Sequence, residues 1–296
     1  MFDKLLAPKP ADGRVAHLTK TLITRFDEHN ISRIGGQLAY FIMLSIFPFL
    51  IFLNALVGSF NIPQNAVIEF LQPFFPQRIV DMISGYVAHL AGNGNMRLVS
   101  IGVVVTIFSA SKSVRSLGYA FNTAYGIKER ESHVHSMVFS FLFIIAAGIV
   151  VVLVVMFVAL SKTFLTRIVE LHNVPNAIMN MLGIWRWVTL AVILFFILAV
   201  MYKSVPDKKL RIRDIVPGTL LSMLGFFGLT VGFSIYVNHF MSNSAMYGTM
   251  GTVVLLMLWI YIASMILVLG AELNSALEIM PHKIKKRQGE EAHKEQ

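Results

Sequence analysis

Cysteine is absent from all 296 residues, which excludes disulfides, thiolate metal sites, a cysteine nucleophile and cysteine redox chemistry. Charge is also scarce: Asp, Glu, Lys and Arg make up 14% of the chain, against roughly 25% in ordinary globular domains. Acids are the scarcer sign, 16 against 25 Lys and Arg, and the formal net charge is +9. His133 and His135 are followed by Ser136 and Met137 with no adjacent aspartate, and the other histidines and the inter-span acids are scattered. Hydrolysing RNA needs clustered metal ligands or a paired acid and base at a wet site. The sequence therefore predicts no catalytic residue, no metal site, no cofactor and no ribonuclease activity. No low-complexity segment or assertable internal repeat is present.

What the chain does have is apolar length. Six stretches run from Ile34 to Phe60, Met96 to Gly118, Met137 to Leu160, Ile178 to Tyr202, Ile215 to Phe240 and Gly248 to Ala276. Each exceeds the roughly 20 residues that cross a hydrocarbon layer of about 30 Å as a helix. Phe139 to Leu160 contains no charged side chain and no polar periodicity, unlike an amphipathic helix of a soluble core. Unbroken runs of this length suit helices, not the short alternating strands of an outer-membrane barrel. The expected fold is all-α: a polytopic bundle of six membrane helices. It is framed by an N-terminal segment over residues 1–33 and a basic tail over 277–296. The first run begins at Ile34 and is too long for a signal-peptide core, so no cleavable signal is expected.

Orientation follows from the basic residues outside the spans. Residues 1–33, Lys112 with Arg115, Lys128 and Arg130, the stretch 203–214 and the tail share one side. The other side has only Arg78, Arg97, Lys162 and Arg167, with Arg186 inside span four. The positive-inside rule then puts both termini in the cytoplasm. The same distribution accounts for the net charge without nucleic acid. The tail run Lys283-Ile284-Lys285-Lys286-Arg287 follows a membrane helix and reads as facing anionic headgroups.

Several local patterns suggest roles. In the outer connection Asn61–Asn95, Ala66–Leu71 and Ile79–Leu90 have helical apolar spacing around Pro73 and Pro76. Two readings are open, an interfacial helix pair or packing on the span ends. Pro48 removes the amide that would serve the Leu44 carbonyl, so a kink is expected, with Ser45 nearby to help satisfy the freed group. Trp185, Arg186 and Trp187 read as an interfacial belt. Gly228 and Gly232, after Gly225, form a Gly-xxx-Gly spacing that favours close helix approach. Tyr247 to Gly251 reads as a tight turn.

The most polar stretch at membrane depth closes span two. Ser109, Lys112, Ser113 and Ser116 recur at i, i+3, i+4 and i+7, with Arg115 beside them and Asn122 beyond. Either the two cations snorkel to the headgroups, or they form a hydroxyl-lined pocket for an anionic headgroup. Glu272, with Asn274 next to it, falls near the end of span six at the expected depth of Lys112 and Arg115. A structural ion pair and a proton-coupled carboxylate are the two readings of Glu272.

The runs Ala39–Ile51, Ser109–Gly126, Val216-Pro217-Gly218, and Tyr247-Gly248 through Trp259-Ile260-Tyr261 to Gly270-Ala271-Glu272-Leu273-Asn274 are similar, in order and spacing, to the YihY/BrkB family of bacterial inner-membrane proteins. The resemblance extends from about residue 20 to 280. It implies a membrane protein of the envelope and brings two divergent labels, ribonuclease BN and serum resistance in virulence.

The expected function is therefore envelope work with an anionic amphipathic molecule such as a lipid, moved across or between leaflets. The alternative is a non-transporting scaffold with envelope protein partners. Ion conduction is weaker, since no ring of acids or repeated filter sequence is present.

Overall fold

The computed structural model describes residues 14–59, 68, 71–72, 75–91, 96–127, 138–146, 149–150, 176–240 and 248–294. Among them there is no strand. The helices are α1 (Arg14–Glu28), α2 (Ile31–Ser59), α3 (Gln77–Ala91), α4 (Met96–Ala124), α5 (Asn176–Ser204), α6 (Ile212–Phe240) and α7 (Gly248–Lys294). Residues 138–146 and 149–150, in expected span three, are helical as well. The rest of that span, the segment Ala66–Leu71 apart from Ile68 and Leu71, and Tyr247, His133 and His135 lie outside the described residues.

α2, α4, α5 and α6 are each 29 residues long, about 43 Å of helix. The outward faces of α4, α5, α6 and α7 are apolar: Val104, Phe196, Leu224, Val231, Ile235 and Val254 are all more than 60% exposed. A water-soluble protein seldom exposes so continuous an apolar surface. Ile212–Val237 and Gly251–Ile279 are long and apolar enough to cross a membrane, and only 17% of the apolar stretch in the former is buried. This is a surface solvated by lipid, so the fold is that of a helical membrane protein.

α7 is the central helix and packs against α1, α2, α3, α4 and α6. Two apolar clusters stack along it. One, at the basic end, joins Ile31, Ile34, Leu117, Phe121, Tyr202, Ile215 and Val268. The other joins Ala39, Ile79, Ile83, Phe233, Leu256 and Trp259. The second cluster includes part of the second half of the first long connection. Ile79, Val80 and Ile83 of α3 are buried, and Phe75 lies 4.7 Å from the Trp259 ring, so this segment packs on the bundle.

Helix ends follow local chemistry. α4 stops in a Schellman motif: Gly126, at φ +65°, donates its amide to Thr123 O (3.0 Å), and Ile127 donates to Asn122 O (2.9 Å). α1 stops at Asn30, at φ 52°, whose amide reaches Asp27 O (3.1 Å). Asparagine tolerates that left-handed backbone better than most residues. α2 continues as helix through Pro48, whose side chain is outside the described set. Ser45 Oγ donates to Ile42 O at 2.8 Å, so it is not spent on the carbonyl of Leu44.

α6 and α7 approach tightly, and the contact is not made by the expected glycine pair. A Cβ on Gly218 would strike the Gly270 carbonyl and the Asn274 amide; one on Gly270 would strike the hydroxyls of Tyr202 and Ser222. Around Gly228 and Gly232 no described residue would lie within 4 Å of an added Cβ, and both are exposed. Their spacing permits close packing, but in this chain the α6 face turned to α7 carries Gly218 and Gly225 instead, Gly225 lying against Ile266.

Candidate functional site

The expected pocket residues separate into two levels of the bundle. At the basic end, the carboxylate of Glu272 is fully buried and held from two sides by α1. Arg25 Nη1 reaches Glu272 Oε2 at 3.0 Å, and His29 Nδ1 lies 2.5 Å from Oε1. Arg25 on α1 and His29, one residue past its end, are four apart and joined by the bond from the His29 amide to Arg25 O (2.9 Å), so they share a face. The same Arg25 nitrogen donates to Ser275 Oγ (3.1 Å), and Ser275 in turn donates to Ala124 O on α4 (2.6 Å). One buried carboxylate thus ties α1, α4 and α7 together. This corrects the expected pairing of Glu272 with Lys112 or Arg115. The Ser275 to Ala124 bond puts Glu272 level with the end of α4, and Lys112 is twelve residues, about 18 Å, farther along.

Asn274 and Asn122 are also at the basic end, and both act as clamps. Asn274 Oδ1 accepts the amide of Gly218 at 2.6 Å, immediately after Pro217 has removed one helical donor. Asn122 makes a two-point clasp with Asp207: its Nδ2 donates to Asp207 Oδ2 (3.0 Å), and its Oδ1 accepts the Asp207 amide (2.9 Å). Lys208 crosses the same surface to both carboxylate oxygens of Glu278, at 2.8 and 2.9 Å, and lies over the Tyr125 ring. Tyr125, one residue past α4, has its hydroxyl buried without a hydrogen-bond partner among the described residues. Burial, followed by the negative charges of Glu278 and Asp214, pushes its phenol above the ordinary range.

Deeper in the bundle, Ser109, Ser113 and Ser116 turn inward and are buried. The hydroxyls of Ser113 and Ser116 have no partner among the described residues. Lys112, although spaced with them, sits at the flank of α4, half-buried, with Nζ 4.7 Å from the centre of the Phe108 ring and 5.7 Å from that of Phe41. Helical side chains lean toward the N-terminus, so Lys112 leans over Phe108, away from the basic end. Snorkelling to the nearer headgroups would require the opposite lean. Aromatic faces supply part of the missing solvation, against an insertion cost of about 2.5 to 3.5 kcal/mol for a cation near mid-bilayer. Arg115, one turn along, has no carboxylate partner among the described residues.

The sequence reading missed Arg25, His29, Tyr202 and Asp207. Tyr202 bonds the hydroxyl of Ser222 (2.5 Å) and the carbonyl of Leu267 (2.8 Å), knotting α5, α6 and α7. The Arg25 and His29 pair did leave a signal, nitrogen-bearing side chains at i and i+4 at the end of an amphipathic segment before span one. Among the described residues, no three His, Asp or Glu gather where they could hold a metal ion.

The family profile described as virulence factor BrkB matches residues 22–295. The chain belongs to the BrkB family. Within it, the chain is 28% identical over 270 residues to a protein of Bacillus subtilis (strain 168) named as ribonuclease-like, YfkH, covering 90% of this chain and 96% of that one. It is 26% identical over 251 residues to a UPF0761 membrane protein of Pseudoalteromonas atlantica, covering 84% of this chain and 81% of the relative. A UPF0761 membrane protein of Vibrio vulnificus (strain YJ016), VV0203, is 26% identical over 291 residues, covering 95% and 88%. No solved structure matches the chain. The BrkB match includes Arg25, His29, Lys112 and Glu272 alike, so both levels of polar residues lie in the family's own region.

Proposed function

We propose that this BrkB-family protein handles an anionic amphipathic molecule, such as a lipid, across or between the leaflets of the bacterial inner membrane. In this reading it has six spans and both termini are cytoplasmic. The observation that carries it is Lys112, a cation some 15 to 18 Å from the basic ends of α2 and α4 by helical rise. It is solvated by two aromatic rings and paired with no acid among the described residues. A cation kept at such depth without an internal counter-charge favours a visiting anion over a static structural role. The protein acts without catalysis or cofactor in this reading, and membrane lipids are its partners. Transfer of a headgroup-labelled anionic lipid between leaflets of proteoliposomes tests it. Wild-type protein should accelerate transfer over protein-free vesicles, and Lys112→Gln should slow it. No acceleration by wild type overturns the proposal.

A non-transporting scaffold is the second reading, favoured by the outward, unpartnered Gly228 and Gly232. Crosslinking from the connection over residues 61–95 should then capture one envelope protein reproducibly. RNA hydrolysis belongs to neither reading. Cleavage by purified protein that is lost on changing His133 and His135 would reverse that.

A further inference from the structure

α2 and α4 pack along much of their lengths, and neither contains an Asp or Glu in its 29 residues. Their outward edges nevertheless carry cations. On α2, Arg33, Gln37 and Tyr40 recur at i, i+4 and i+7 and are all exposed. On α4, Phe108, Lys112 and Arg115 recur at the same interval; Phe108 is exposed and the two cations half-buried. The two rows adjoin, because Phe41, next in the chain to Tyr40, places its ring 5.7 Å from Lys112 Nζ. The helices run antiparallel, with Ile31 and Phe121 in one cluster at the basic end and Phe41 beside Lys112 farther along. Arg33 therefore stands near the entrance, Arg115 farther in and Lys112 deepest.

None of these three cations has a carboxylate partner among the described residues, whereas Arg25 is neutralised by Glu272. The seam opens sideways onto the apolar surface, where Leu44 and Phe108 are exposed beyond Tyr40 and Lys112. A soluble anion would have to leave water to follow it. A lipid would carry only its headgroup along the seam and leave its chains in the bilayer. Arg and Lys in series suit a phosphate, the first by forked hydrogen bonds and the second as a point charge.

We infer that the seam between α2 and α4 is a lateral track for the phosphate of a membrane lipid, running from Arg33 past Arg115 to Lys112. This rests on the lipid-handling reading and adds both the route and the headgroup chemistry. Because the chains stay outside the protein, the track selects by headgroup charge and is indifferent to chain length.

The absence of cysteine gives a direct test with the full chain. Leu44→Cys, labelled with bimane in phosphatidylcholine nanodiscs, is titrated with phosphatidic acid carrying a chain nitroxide or with phosphatidylcholine labelled identically. Phosphatidic acid should quench at a lower fraction than phosphatidylcholine. The apparent affinity should fall about fivefold for K112Q and about 25-fold for K112Q/R115Q, as expected for loss of one and two cations at an anionic headgroup. K112R should keep the preference, and where K112Q fails to fold, R115Q and R33Q carry the same test singly. Equal quenching by both lipids in wild type, an unchanged preference in K112Q/R115Q, or displacement of the lipid by inorganic phosphate would each overturn the track. Binding here requires no transfer. Preference without transfer in proteoliposomes would sink the transport reading alone, and transfer surviving in K112Q/R115Q would sink the track and the role given to Lys112, leaving transport itself standing.

Discussion

Arg25 and Glu272 stand 247 residues apart in sequence and 3.0 Å apart in space, and the carboxylate they share with His29 is wholly out of solvent. An amphipathic helix preceding the first long span is thereby bolted to the last one. A buried pair of this kind adds little over an apolar substitute, but losing one partner strands the other charge.

Arg25→Ala should accordingly destabilise the protein by about 3 to 5 kcal/mol, read as a lowered thermal midpoint in detergent. Glu272→Gln should cost a comparable amount, because it strands Arg25. Arg25→Met combined with Glu272→Leu should recover much of the loss. A double variant as unstable as the sum of the singles would show that the contact is not a coupled pair.

The α6–α7 contact gives an internal comparison. Gly218→Ala pushes a methyl into the Gly270 carbonyl, which is backbone and cannot rotate aside, and Gly270→Ala pushes one into the hydroxyls of Tyr202 and Ser222. Each should lower stability by about 1 to 3 kcal/mol or more, the usual range for overpacking. Gly228→Ala and Gly232→Ala meet open space and should leave the purified protomer's midpoint unchanged or slightly raised. The reverse order of effects would place the close contact at the wrong pair of glycines.

These contacts show how much of the molecule was legible beforehand. Apolar run lengths revealed the long helices, because in hydrocarbon the backbone must bond within its own segment, which leaves few alternatives. Pairing of Glu272 was not legible. Depth depends on how far each helix extends past the apolar layer, and α4 continues helical to Ala124, beyond the apolar limit at Gly118. That shift separated Glu272 from Lys112 and brought it to Arg25. Ser109, Ser113 and Ser116 on α4 are all buried, while Lys112, spaced with them, lies half-buried at the margin of that face. Spacing fixes an angle around one helix, and the neighbours decide which side of that angle is inside. Gly228 and Gly232 failed for the same reason.

The Asn122 clasp on Asp207 makes a local test of the basic end. Asn122→Ala removes two hydrogen bonds between α4 and the α5–α6 connection, at about 0.5 to 1.5 kcal/mol each. The loss should be regional. Amide hydrogen exchange should rise around Asp207 and remain unchanged near Trp259, which packs in the other apolar cluster. Uniform acceleration through the bundle would mean that the clasp holds the whole fold.

Tyr125 contributes an alkaline loss of stability with a definite sign. Its phenol is held above its ordinary value of 10.0 by burial first, then by Glu278 and Asp214, so between that value and the raised one the folded state keeps a proton that the unfolded chain has released. Folding then binds more protons, and stability falls as pH rises past about 10. Below that pH the group contributes no slope. Tyr125→Phe has no proton to lose and also removes a buried hydroxyl without a partner. Thermal midpoints measured from pH 8 to pH 11 should coincide within a degree or two for wild type and variant at the lower end, or slightly favour the variant. The two should separate above about pH 10, with wild type falling faster. Parallel curves across the whole range would mean that the Tyr125 side chain is exposed to water in the membrane-bound protein.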